Sequence, residues 1–405
     1  MTPSSMGSIF RLALALGLFV WPAPAGARQG EPLCGDCQST GRVPRELDAE
    51  AVALEQGALL CSIALDQDPE GLGLDWKPCP KCVRPSAKQK AVEEFEAALL
   101  PKRAWLKARR EAVDAVVKSP VDHLETEHFV LAWDLPRIKI DRKIVDRHRA
   151  LHLYARRLED LRTRIFEQIG LTDADTNGVK HHVYMFERHK TAIAMAPVVT
   201  GRSLVKDTKI SLLGIESHMV SWDNPQVITN DEERHQFLVH AVSHHIHDGL
   251  EDRRHWLFQR YGWVYEGLAH FQEIRDFGPP IAWCSAEGGA FSNWQSATWE
   301  ANVKKAVKAK EQPVFQEVIR KSAGSLSPME HQFAWSYIDY LMWLDPHAMK
   351  RALELMIGPQ KDVRDVLKEA YGLSVGQFVD GWTAFVLEEY KTRSRKGPYQ
   401  RPPRS

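Results

Sequence analysis

Two stretches dominate this chain: residues 230–248, NDEERHQFLVHAVSHHIHD, and residues 263–273, WVYEGLAHFQE. The first opens like a helix, with Asn230 as its cap and Glu233 three positions later to complete a capping box. That gives Glu232 and Glu233 a structural role and leaves the chemistry to the histidines. Successive helical residues turn by about 100°, so His240, His244 and His247 form one stripe. Leu238, Val242 and Ile246 form the opposite stripe, which faces the core. Histidines four apart lie roughly 6 Å from one another and can converge on one metal ion. A neutral imidazole offers a lone pair without adding charge, which suits zinc. In the second stretch Glu266, His270 and Glu273 share one face of a helix. A carboxylate from a second helix is what a two-histidine site needs as its third protein ligand. The plain alternative is a His-rich solvated face beside an acidic one, because H-x-x-x-H spacing is common in helices.

Upstream, the pattern is that of strands. Residues 128–133 are rich in strand formers and stop before Pro136. A long amphipathic helix follows, with Leu151, Tyr154, Leu158, Leu161, Ile165 and Ile169 on one stripe and Gly170 as its stop. Residues 179–186 read as a strand opened by the Asn177-Gly178 turn. Residues 209–213 and 218–222 are further short strands. After Asp231 nearly everything reads as helix, broken at Gly278-Pro279-Pro280, Pro313, Pro328 and Gly372. Strands first and helices afterwards predict an α+β domain. It has a short amino-proximal sheet, a largely helical carboxy-terminal half and its site at the junction.

The 405 residues leave room for one sizeable core and a small appended module. Lys and Arg number 53, as do Asp and Glu, so no net field points to nucleic acid or an acidic partner. Arg11 precedes an apolar run at 12–21, too short to span a bilayer as a mature anchor, and Ala25-Gly26-Ala27 supplies an A-x-A cleavage pattern. Residues 1–27 therefore read as an export signal, the alternative being an uncleaved anchor. The mature chain, with no membrane span, is expected in the periplasm or outside the cell. Residues 28–86 form a Cys-rich module, 87–120 a charged helical connector and 121–392 the main domain. Residues 393–405 are a basic, Pro-rich tail read as disordered.

Of six cysteines, Cys34 with Cys37 and Cys79 with Cys82 form two C-x-x-C knuckles, while Cys61 and Cys284 stand alone. The four knuckle thiolates suit one structural zinc in the manner of a zinc ribbon, although the loop between the pairs is long. Export raises the alternative of disulfides. Bridges within C-x-x-C are strained, so these would cross between pairs or involve Cys61. Either way the module is a staple or docking element.

The pairing of His240-Ala241-Val242-Ser243-His244 with Trp263-Val264-Tyr265-Glu266-Gly267-Leu268-Ala269 resembles the gluzincin zinc peptidases, the thermolysin and aminopeptidase clan. Their pattern is H-E-x-x-H on one helix and an E-G-x-A-type glutamate on the next. Residues 333–341 resemble the helix behind that clan's site. Residues 367–374, with Phe378 and Trp382, resemble its closing helices. The resemblance implies a zincin-like fold and one zinc on His240, His244 and Glu266. It also implies attack on a peptide carbonyl by metal-bound water. The clan's general base follows the first histidine, and here that residue is Ala241. Losing a general base costs about 10²–10⁴-fold in rate. His245, one turn beyond Ala241, is the candidate substitute, against the alternative of an ordinary partly buried histidine. His331 stands where some relatives carry an oxyanion-binding tyrosine. His270 occupies the place of a carboxylate that orients a zinc-binding histidine, and it can join the metal or accept a hydrogen bond. The expectation is an exported, catalytically impaired peptidase homologue that holds a peptide or partner protein. The alternatives are an active peptidase with a non-standard base and a structural helical domain without metal. Substrate and oligomeric state are not legible.

Overall fold

The computed structural model describes residues 42–44, 60–61, 76–78, 108, 110–118, 121–140, 142–176, 178, 180–200, 209–212, 217–225, 228–250, 256–281 and 299–391. Residues 1–27, read above as an export signal, Cys34, Cys37, Cys79, Cys82, Cys284 and the basic tail all lie outside these residues. The chain divides into two compact units, Met1–Asp48 with Leu74–Arg103 and Ala49–Gly73 with Ala104–Ser405. In the first unit β1 (Arg42–Pro44) pairs antiparallel with β3 (Trp76–Pro78). In the second, β2 (Leu60–Cys61) runs antiparallel to β4 (Asp122–Glu125), with Cys61 opposite Leu124.

The fold of the larger unit is α+β. β4 pairs antiparallel with β5 (Phe129–Trp133). β5 pairs in parallel with β8 (His181–Phe186), and β8 with β10 (Ser217–Trp222). β9 (Lys209–Leu212) closes the outer edge antiparallel to β10. The sheet order is therefore β2-β4-β5-β8-β10-β9. Parallel strands need crossover connections. The first holds a hairpin of β6 (Ile138–Ile140) and β7 (Lys143–Val145), then α1 (Arg147–Ile169). The second includes α2 (His189–Thr200). So helices already interleave with strands in the first half, where the sequence reads as strands around one long helix. The interior Pro197 hides α2 from pattern reading.

Alternation along the strands explains why both faces of the sheet are covered. Phe129, Leu131, Trp133, Val183, Met185 and Met219 face the main core. Ala132, Tyr184, Phe186 and Val220 face the other way, against α2 and the helical segment at 110–116. α1 ends where its sequence says, with Gly170 at φ 77° in the left-handed region.

α3 (Asp231–Asp248) starts at Asn230, whose side chain accepts from Glu233 N at 2.9 Å. The box closes one residue early, because the Glu233 carboxylate accepts from Thr229 N at 2.7 Å rather than from Asn230. α3 is pinned at its start from two sides. Asp231 accepts from Tyr154 and, bidentately, from Arg157 of α1. Arg234 donates bidentately to Asp223 just beyond β10. From Gln236 to Asp248 every residue of α3 is buried. It is therefore a central helix, with its histidine stripe inside the protein.

Eight helices follow or flank it among the described residues: α4 (Trp256–Arg260), α5 (Gly262–Phe277), α6 (Trp299–Ala309), α7 (Phe315–Val318), α8 (Pro328–Leu344), α9 (Ala348–Ile357), α10 (Val363–Tyr371) and α11 (Val375–Glu389). α5 packs between α3 and α8. Its close approach to α8 depends on Gly267, where a Cβ would meet Ile338 Cγ1 at 2.6 Å and Ala334 O at 2.7 Å. α8 opens with a Ser327–Glu330 capping box and Pro328 in its first turn. Gly372 ends α10 at φ 71°, and Phe378 and Trp382 of α11 are buried in the core. No helix among the described residues is long and apolar enough to cross a membrane.

Candidate metal centre

α3 and α5 present their polar stripes to one another in the interior. His240, Glu266 and His270 each offer a ligand atom within 4.8 Å of the others, and all three are 0% exposed. This buried group can hold a metal ion. His244 adjoins it, with its Nε2 3.2 Å from His240 Nε2 and 3.6 Å from Glu266 Oε2. From α8, His331 Nδ1 lies 3.7 Å from the same Glu266 oxygen. The reading of these histidines as a solvated face is excluded by their burial.

Glu273, one turn beyond His270, organises the other side. Its Oε2 lies 3.2 Å from both His240 Nδ1 and His270 Nδ1. Its Oε1 accepts from Gln236 Nε2 at 3.0 Å and from Ile281 N at 2.6 Å. Burial alone would raise the Glu273 carboxyl. The hydrogen bonds from His240 and His270 outweigh that and hold it well below the usual carboxylate range. Burial, aided by nearby His240, lowers the His270 imidazole to about 3. Burial also lowers His331, against the pull of Glu266. The combination is an ionised Glu273 carboxylate facing a neutral His270 imidazole. An imidazole that donates its Nδ1–H to a carboxylate keeps a lone pair on Nε2, the form in which histidine binds metal.

The donor chemistry fits a divalent transition metal. Ligand atoms bonded to a tetrahedral zinc at about 2.0–2.1 Å lie about 3.3 Å apart. The 3.2 and 3.6 Å separations around His244 bracket that value.

His245, the substitute base expected from its spacing, points elsewhere. Its Nδ1 is paired with Ser217 Oγ on β10, and it is buried. This arrangement matches the ordinary buried histidine. Ala241 is buried in the main core. His331, by contrast, does reach the cluster. Sequence reasoning assigned no role to Gln236, Tyr265 or Trp299. Gln236 stands one turn before His240 on the same stripe, so the i, i+4 rule that found His244 would have found it. Tyr265 stacks on His244 with ring centroids 4.1 Å apart, and Trp299 meets His270 edge-on at 4.6 Å. Neither contact carries a sequence signal.

No protein-family model matches the chain, and a search of curated proteins finds no match.

Proposed function

We propose that this protein is an exported zinc-binding relative of the gluzincin peptidases that has lost peptide hydrolysis and keeps the fold to hold a peptide or partner protein. The observation that carries the reading is the buried His240–Glu266–His270 group, with His244 beside it and alanine at 241. Zinc held by His240, His244 and Glu266 would supply Lewis acidity and lower the pKa of a bound water. What this chain lacks is the residue to take that water's proton. Ala241 has no acid–base group, and His245 is engaged with Ser217 on the sheet. His331 beside Glu266 supplies a polar side chain where an oxyanion-binding group stands in the family. Export rests on the apolar run after Arg11 and the A-x-A site, and the second zinc on the two C-x-x-C knuckles.

Metal analysis and a peptidase assay on the purified mature chain test the reading together. One zinc per chain that is lost in His240→Ala, with hydrolysis of casein at background, is the expected result. Turnover that requires zinc and disappears in His240→Ala would replace it with an active peptidase. A wild-type protein without metal would leave only the structural helical domain. Cys79→Ala, measured alongside, separates the knuckle site from the helix site.

A further inference from the structure

We propose that His270 is a fourth protein ligand, so that His240, His244, Glu266 and His270 close the coordination sphere around a divalent metal. The site then acts as a staple between α3 and α5 with no position left for substrate or water. This rests on the metal-binding reading above and deepens it. An impaired peptidase with three protein ligands retains an open fourth position, whereas a four-ligand site is structural.

Three observations converge on closure. First, His270 belongs to the buried group with His240 and Glu266, within 4.8 Å, while His244 stands at near-tetrahedral spacing from two of the same residues. Three imidazoles and one carboxylate thus lie on the facing sides of two helices, His270 in the group with His240 and Glu266 and His244 against the same two residues. Second, Glu273 lies against both His240 and His270 and is hydrogen-bonded to His270. One carboxylate oxygen lies 3.2 Å from the Nδ1 of each. The hydrogen bond to His270 selects the Nδ1–H tautomer of that ring and leaves its Nε2 as a donor to metal. If His270 served only to orient a ligand, its pairing with a second orienting carboxylate would be redundant. Third, Trp299 of α6 lies edge-on at 4.6 Å against His270, and Tyr265 is stacked on His244. The four donors are 0–3% exposed, the signature of a site shut off from solvent. Glu273 is then a positioning residue, fixed in turn by Gln236 and the Ile281 amide.

Cobalt substitution of the full mature chain gives a direct readout. The wild-type Co²⁺ protein is expected to show intense tetrahedral d–d absorption that azide leaves unchanged. His270→Ala is expected to bind Co²⁺ more weakly and to acquire an azide-sensitive spectrum, because its fourth position is now open. Glu273→Gln is expected to weaken Co²⁺ binding by about 10–100-fold without opening the site, as loss of an orienting partner does. An azide-sensitive wild-type spectrum would overturn the fourth-ligand assignment, as would unchanged affinity in His270→Ala, and either result would leave metal binding intact. The azide arm uses the unmodified protein, so it stands even if the variants fail to fold. Absence of one tightly bound metal per wild-type chain would sink this inference and the reading beneath it together.

Discussion

On the proposed peptidase kinship, position 241 decides the chemistry of this chain at the scale of single residues. Alanine there has no proton to move, and it is buried. If His270 occupies the fourth metal position, Ala241→Glu alone restores little hydrolysis. The double variant Ala241→Glu with His270→Ala, which has both a base and an open position, is expected to exceed the single one by at least about tenfold. Rates on a fluorogenic peptide, with far-UV circular dichroism to verify folding, check this. Equal rates would mean that His270 does not obstruct the metal. Ser217 and His245 supply a second residue-scale contrast. The histidine that helical spacing nominates as a base is consumed by a strand hydroxyl, a partner 28 positions away that no local pattern reveals.

At the scale of elements, the start of α3 and the α5–α8 contact carry the site. Asn230→Ala removes the cap of the helix that bears His240 and His244. It is expected to cost about 1 kcal/mol in urea-unfolding stability with metal stoichiometry retained. Gly267→Ala forces a Cβ into Ile338 and the Ala334 carbonyl, so α5 must move off α8. A loss of about 1–3 kcal/mol is expected for such overpacking. Because Gly267 neighbours Glu266 and α8 carries His331, weakened zinc affinity should accompany it. A variant as stable as wild type would show that the helix spacing is slack. α3 and α5 are legible as helices because the Asn230 cap, the two polar stripes and the Gly278-Pro279 break are local. α2 is not, since an internal proline masks it, and the shift of the Glu233 bond to Thr229 is a detail of the turn rather than of the pattern.

For the whole molecule, the proposed metal site predicts stability coupled to metal, and the buried histidines predict stability coupled to pH. A chelator is expected to lower the melting temperature, and zinc to restore it in proportion to concentration. At 100 times the dissociation constant, binding adds about 2.7 kcal/mol. pH acts through histidines that folding buries in the neutral form. Burial lowers His181 to about 3, helped by Arg162 and His128. It lowers His235 to about 4, helped by Arg157, and His247 to about 4. Their folded values lie below the unfolded 6.5, so between roughly pH 3 and 6.5 the unfolded chain binds more protons. Stability is therefore full above about 6.5 and falls as pH drops through that window. With chelator present, urea midpoints should be lower at pH 5 than at pH 7, and His181→Phe should flatten the difference. A midpoint independent of pH would mean that these imidazoles are not neutral in the fold.

What one chain of letters established here is periodic and local. The positions of His240, His244, Glu266 and His270 on two helices follow from a repeat of 3.6 residues, and the helix ends follow from caps and glycines. Which of those donors meet, and what stands behind them, was settled by packing between elements far apart in the chain. The Gly267 approach to α8 brought in His331. Gln236 and the Ile281 amide clasped Glu273, and the sheet took His245 away. Helical periodicity lists the side chains on a face, while the partners opposite that face come from long-range contacts, which periodicity does not encode.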